Sequence, residues 1–301
     1  MRLVFRRAGQ AGSLLLACIA TTLIATAVLT GLTDYSREVV DVGSASAVAA
    51  APADERSVLL RGPAGRSVAD LDARGDAVRA RFAGGLGGLD TRVAAAGYAS
   101  GRELLDPPGT AALGADGGVL GSVMFLDGLA DHAVLRAGAW PRPGARPVEA
   151  AIAEPAAAAL GARVGSRLPV LDRLSGARSE IAVTGIWRPR DPTAAYWLLA
   201  PDAATGVAAQ SATYGPIVVP RADFVRGFLA SASAAWLVEP ALRGAAPGQL
   251  TAAGRQAAAL PETLPAELGF GTSAVATTRI DRLAERLTRA DLVGRSALVT
   301  P

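Results

Sequence analysis

Between Arg7 and Asp34 the chain carries no charged side chain. The apolar centre of that run includes Leu14, Leu15, Leu16, Ile19, Leu23, Ile24, Val28 and Leu29. A helix of about 25 residues, rising about 1.5 Å each, exceeds the roughly 30 Å hydrocarbon core of a bilayer. Arg2, Arg6 and Arg7 precede the run, and Asp34 and Glu38 follow it. The positive-inside bias therefore predicts a cytoplasmic N-terminus over 1–10, a membrane helix over 11–33, and the rest of the chain outside the cell membrane. Two other readings compete. Ala25-Thr26-Ala27 is a small-x-small pattern that a signal peptidase cleaves, and Leu15-Leu16-Ala17-Cys18 resembles a lipoprotein signal. The run continues past both and is longer than a signal segment, so an uncleaved anchor in lipid is the expectation.

The remaining composition narrows the chemistry. One cysteine in 301 residues excludes an internal disulfide framework and a cysteine-based zinc site. One histidine, His132, excludes a multi-histidine metal site. All 30 basic residues are arginine, and removing the three before Asp34 leaves 27 against 27 acidic residues. That neutral balance, without a basic stripe, speaks against a nucleic-acid partner. Without lysine there is no phosphate loop of the Gly-x-x-x-x-Gly-Lys type, and no cofactor motif is found.

Past the anchor, strands and helices alternate. Ser57–Arg61 reads as a strand closed by Gly62-Pro63. Val68, Leu71, Gly75, Val78 and Phe82 form a helical stripe that ends at the glycines of 84–88. Arg92–Tyr98 and Val119–Phe125 read as strands. Prolines 141, 143 and 147 mark a rigid connection. A strand over Val148–Ala153 follows, then a short alanine helix with Pro155 in its first turn and Gly161 past its end. Val164–Val170 and Glu180–Trp187 pair as strands around a turn at Ser175-Gly176. Strands at Ile217–Val219, Ala235–Val238 and Ala274–Thr277 enclose a helix over Asp223–Leu229 and one over Gln249–Leu268, which Pro261 and Pro265 interrupt. Thr278 to Asp281 reads as a capping box for a last helix with Ile280, Leu283, Leu287 and Ala290 on one stripe.

Four stretches carry a family resemblance: the anchor leading into a large outer segment; Leu160-Gly161-Ala162-Arg163-Val164-Gly165 after a helix; Val183-Thr184-Gly185-Ile186-Trp187; and the helix from Asp281 toward Val299. Their order resembles the FtsX-like permeases of ABC transporters, with a MacB-like periplasmic core domain, of the actinobacterial type. The resemblance implies an α+β fold. Parts 34–139 and 211–279 would form a porter-like βαβ subdomain, 140–210 an inserted β-rich module, and 280–301 a stalk leading toward a second membrane helix. It implies an N-terminal portion of a permease with no catalysis of its own. A separate cytoplasmic ATPase subunit would be its partner, and a second permease copy or half a further one. Leu160, Gly161, Val164, Gly165, Val183, Gly185, Ile186 and Trp187 would be structural, and Ile280, Leu283 and Leu287 would line the stalk.

The alternative is a membrane-anchored sensor or binding protein, or an envelope hydrolase using His132 beside Asp131. No Gly-x-Ser-x-Gly elbow accompanies that histidine. Trp140, Trp187, Trp197 and Trp236 fit anchors of an aromatic-poor core better than a ligand cage. The 84–88 glycines follow a helix instead of opening one, which suits a loop better than a phosphate cradle.

Overall fold

The computed structural model describes residues 18–27, 30, 45–99, 101–109, 118–208 and 212–297. Leu14, Leu15, Leu16, Val28 and Leu29 of the expected anchor lie outside these, as do residues 298–301 of the expected stalk. Residues 18–27 are helical. Among the described residues no helix is long and apolar enough to cross a membrane.

Among the described residues eleven strands form one continuous network. In chain order they are β1 (Val58–Pro63), β2 (Thr91–Ala99), β3 (Arg102–Leu104), β4 (Val119–Leu126), β5 (Ala133–Gly138) and β6 (Val148–Ala153). Then come β7 (Arg167–Asp172), β8 (Arg178–Pro189), β9 (Thr213–Val218), β10 (Ser233–Pro240) and β11 (Val275–Thr278). After β1 the helices longer than one turn are α1 (Val68–Arg81), α2 (Glu154–Ala159), α3 (Arg221–Gly227), α4 (Pro247–Glu267) and α5 (Ile280–Ala297), and a single helical turn, Leu129–His132, lies between β4 and β5.

The network has two regions. The first is an antiparallel sheet in the order β11-β1-β10-β2. Leu60 and Trp236 sit opposite each other on its helix-covered face, where Trp236 meets Gly75 of α1 and the ring of Phe270. Leu71, Val78 and Phe82 of α1 are buried, as the helical spacing requires, whereas Val68 at the start of the stripe is exposed. Ser67 and Asp70 close the N-terminus of α1 with a reciprocal capping box. Strand β10 is buried on both faces, so its Ala-Ala-Trp-Leu-Val run shows no alternation.

The second region is a closed barrel: β4-β3-β7-β8-β6-β9 and back to β4. Strand β4 belongs to both regions. Its end pairs with β2 and its beginning with β3, while its other edge meets β9 in parallel. Leu168, Val170, Ile181, Val183, Ile152 and Ile217 are buried. The interior is tight enough that a Cβ on Gly121 would lie 2.9 Å from Leu104. Side chains fill a barrel of this size.

The hydrogen bonds divide the chain differently from the expected boundaries at 140 and 210. Strands β3, β4 and β9, assigned from sequence to the porter-like part, supply half the barrel that the 140–210 strands need in order to close. Strands left at an open edge would expose unpaired backbone groups, and closure removes that exposure. Three smaller differences follow local chemistry. Strand β7 begins at Arg167, since Gly165 at φ +91° turns the chain first. Helix α4 runs unbroken through Pro261 and Pro265 because buried Leu260 and Leu264 hold it to the body. Strands β3 and β5 were not read, the first too short and the second exposed along its outer half.

Candidate functional site

The residues of the sequence motif are scaffold. Leu160 and Val183 are buried. Gly161, at φ +63°, passes so close to Gly109 that a Cβ would lie 2.9 Å from its amide nitrogen. Gly185 allows Ala139 to cross β8, where a Cβ would lie 2.5 Å from the Ala139 carbonyl oxygen. Trp187 is fully buried and stacks on Trp197 at 5.5 Å, and Ile186 packs partly buried against the same core. Val164 and Gly165 lie in the turn before β7, with Val164 exposed. The glycine loop 84–88 is closed, not open: a Cβ on Gly87 would collide with Ala253 of α4.

The stalk stripe packs on its own domain. Ile280, Leu283 and Leu287 are buried, and Ala284 lies against Gly254 of α4. Thr278 accepts a hydrogen bond from the Ile280 amide at 3.3 Å. That bond comes from the residue two positions on, and among the described residues Asp281 makes neither bond of the expected capping box with Thr278.

What the sequence reading missed is a clasp between the two ends of the domain. A 3-10 turn, Ala53–Glu55, precedes β1. The Glu55 carboxylate accepts both terminal nitrogens of Arg286 on α5, one at 2.9 Å. Arg279 donates its amide to the Asp54 carbonyl at 2.8 Å and its guanidinium lies 3.3 Å from the Asp54 carboxylate. The hydrogen bond from Arg286 holds the Glu55 carboxyl below the usual carboxylate range, against an opposing push from burial. These partners stand 231 residues apart, beyond any spacing rule.

From the same turn the arginines reach into the joint between sheet and barrel. Arg56 donates to the Thr193 carbonyl at 2.8 Å, and Arg61 of β1 donates to the Leu198 carbonyl at 3.0 Å. These carbonyls lie just before and within the 3-10 helix Ala195–Leu199, which lies on the sheet's other face. Tyr98 of β2 donates to Leu199 at 2.7 Å, and Tyr196 donates to the Asp127 carbonyl at 2.9 Å. His132 stacks flat on Tyr196 at 3.7 Å, which gives the imidazole a packing role. Burial pushes up the phenols of Tyr98 and Tyr196 and the carboxyls of Asp127 and Glu239. In all four, removal from water, which disfavours the charged form, is the leading cause. Beside it a cleft of about 590 Å³ opens between β1, β2 and β10 on one wall and β4, β9 and the segment after the 3-10 helix on the other.

No family model matches the chain, and no curated protein matches it. Among solved structures it is similar to a domain of a Porphyromonas gingivalis protein designated a permease candidate, with 14% identity and a TM-score of 0.33 over 75% of this chain and 90% of that one.

Proposed function

We propose that this chain is the extracytoplasmic domain and membrane anchor of an ABC transporter permease of the FtsX-like type. It is non-catalytic and passes motion between a cytoplasmic ATPase and the outer face of the membrane. The observation that carries the reading is the clasp. The segment leading in from the N-terminal helix and the helix α5 leading out are bound side by side through Glu55–Arg286 and Asp54–Arg279. A domain whose two ends emerge together is built to take a displacement from one surface.

The described part of the anchor supports the lipid reading. Ile19, Leu23 and Ile24 are 50%, 66% and 64% exposed, an arrangement that water disfavours and lipid does not. The hydroxyls of Thr22 and Thr26 donate to the carbonyls four residues earlier, at 2.7 Å each. Polar groups satisfied within the helix are what a bilayer demands.

The test has two arms. In a Cys18→Ser background, Ser175→Cys on the exposed β7–β8 turn should react with a membrane-impermeant maleimide in intact cells. Reaction only after lysis overturns the topology. Glu285→Pro on α5 removes a helical hydrogen bond at a local cost of about 3 kcal/mol. In proteoliposomes holding the chain with its ATPase, this variant should lose coupled hydrolysis while the barrel stays protease-resistant. Normal coupling in Glu285→Pro overturns the mechanical role.

A further inference from the structure

The cleft at the joint has the size and lining of a small-molecule site. Its volume, about 590 Å³, falls within the range of small-molecule sites. It has an apolar floor of Met124 and Ala234 and a rim of hydroxyls that includes Ser122 and Ser233. Two opposite charges line it, Arg61 from the sheet wall and Asp202 from the barrel side.

Both charges are presented for use. Arg61 is fixed by its bond to the Leu198 carbonyl and lies beside the Tyr98 phenol, and its guanidinium makes no salt bridge among the described residues. Asp202 is anchored through its backbone: its carbonyl accepts the Gly206 amide at 2.7 Å. Its carboxylate has no ion-pair partner among the described residues. An anion alone would meet Asp202 unfavourably, and a cation alone would meet Arg61 the same way. A molecule with separated opposite charges satisfies both, and the planar guanidinium matches a carboxylate.

We propose that the cleft binds a small zwitterion of amino-acid or short-peptide size, with its carboxylate on Arg61 and its ammonium on Asp202. Such a ligand bridges the sheet and the barrel. It also presses on the segment that Arg56 and Arg61 grip, and so connects to the clasp at the chain ends. The site does not depend on the transport reading, and the two fail separately.

The experiment is isothermal titration calorimetry on the full chain in detergent, with the dipeptide alanyl-alanine as probe beside its C-terminal amide and its N-acetyl form. Saturable binding of the free dipeptide is expected, weakened about tenfold or more by either blocking group. Arg61→Met should bind the acid and the amide equally, and Asp202→Asn should bind the free and acetylated amines equally. Since each variant still discriminates at the other end of the probe, loss by unfolding is told apart from loss of the contact. Absence of binding to the wild type at millimolar probe overturns the proposal. So does binding that neither the blocking groups nor the two substitutions alter.

Discussion

The barrel and the sheet share strand β4 but are stabilised differently. The barrel closes on itself and holds a buried charge pair in its wall: Arg102 of β3, 2% exposed, lies 2.6 Å from Asp172 at the end of β7. Arg102 also faces the Phe228 ring. The sheet ends on a four-residue edge strand, β11, and leans on the helices α4 and α5, which meet through small residues at Gly254 and Ala284, while a partly exposed ion pair ties α5 to the Glu55 turn. Closure makes a unit that gains or loses its ladder together. An open sheet with a docked helix pair can shift at its edge, the side of the molecule that the Glu55–Arg286 clasp joins.

The largest expected effect tests the barrel. Asp172→Ala leaves the Arg102 guanidinium buried without its counter-charge, and breaking such a pair costs about 3–5 kcal/mol. Urea unfolding should show the loss across the barrel, with exchange of the β7 and β8 amides rising together. If exchange rises only in the β7–β8 turn, the closed unit is not cooperative.

Next is Leu283→Ala, at a side chain of α5 that is 1% exposed. Truncating a buried leucine costs about 2–5 kcal/mol. Hydrogen exchange should place that loss in α4, α5 and β11 and leave the barrel amides protected. Equal loss in both regions would erase the distinction.

A smaller effect comes from the helix contact. A Cβ on Gly254 would lie 2.6 Å from that of Ala284. Overpacking costs about 1–3 kcal/mol, so Gly254→Ala should lower the thermal midpoint, and adding Ala284→Gly should restore it.

The smallest effects are in pH. Glu55 titrates low in the folded chain because Arg286 donates to it, so its contribution is present above the unfolded carboxylate value and is lost as pH falls through the folded one. Glu55→Gln should therefore flatten the acid side of the stability profile. Glu239, at the joint, titrates high because it is buried, although His132, Arg56 and Arg92 oppose the shift. The folded state then holds a proton that the unfolded state has released, and stability falls as pH rises through the raised value. Glu239→Gln should match the wild type in acid and exceed it at neutral pH. Urea midpoints measured across pH check both signs.

The legibility of the chain follows the range of its interactions. Val148–Ala153 and Glu180–Trp187 were readable as strands because alternation and flanking turns are local signals. The α1 stripe was readable for the same reason. The Ile280–Leu287 stripe showed that α5 has an apolar face but not that Ala284 beside it meets Gly254 of α4. The clasp and the cleft left no signal, since Glu55, Arg61, Asp202 and Arg286 look like ordinary surface charges in sequence.

By itself, the sequence determined most of the longer elements and the charge-free N-terminal run, because periodicity, proline and glycine act within a few residues. The tertiary structure alone decided that six strands from three stretches of chain close a barrel. It also decided that Glu55 meets Arg286 and that Arg61 and Asp202 face one cleft. Each of these depends on strand partners and charges far apart in the chain, up to 231 residues for Glu55 and Arg286, where only the packed fold sets the distance.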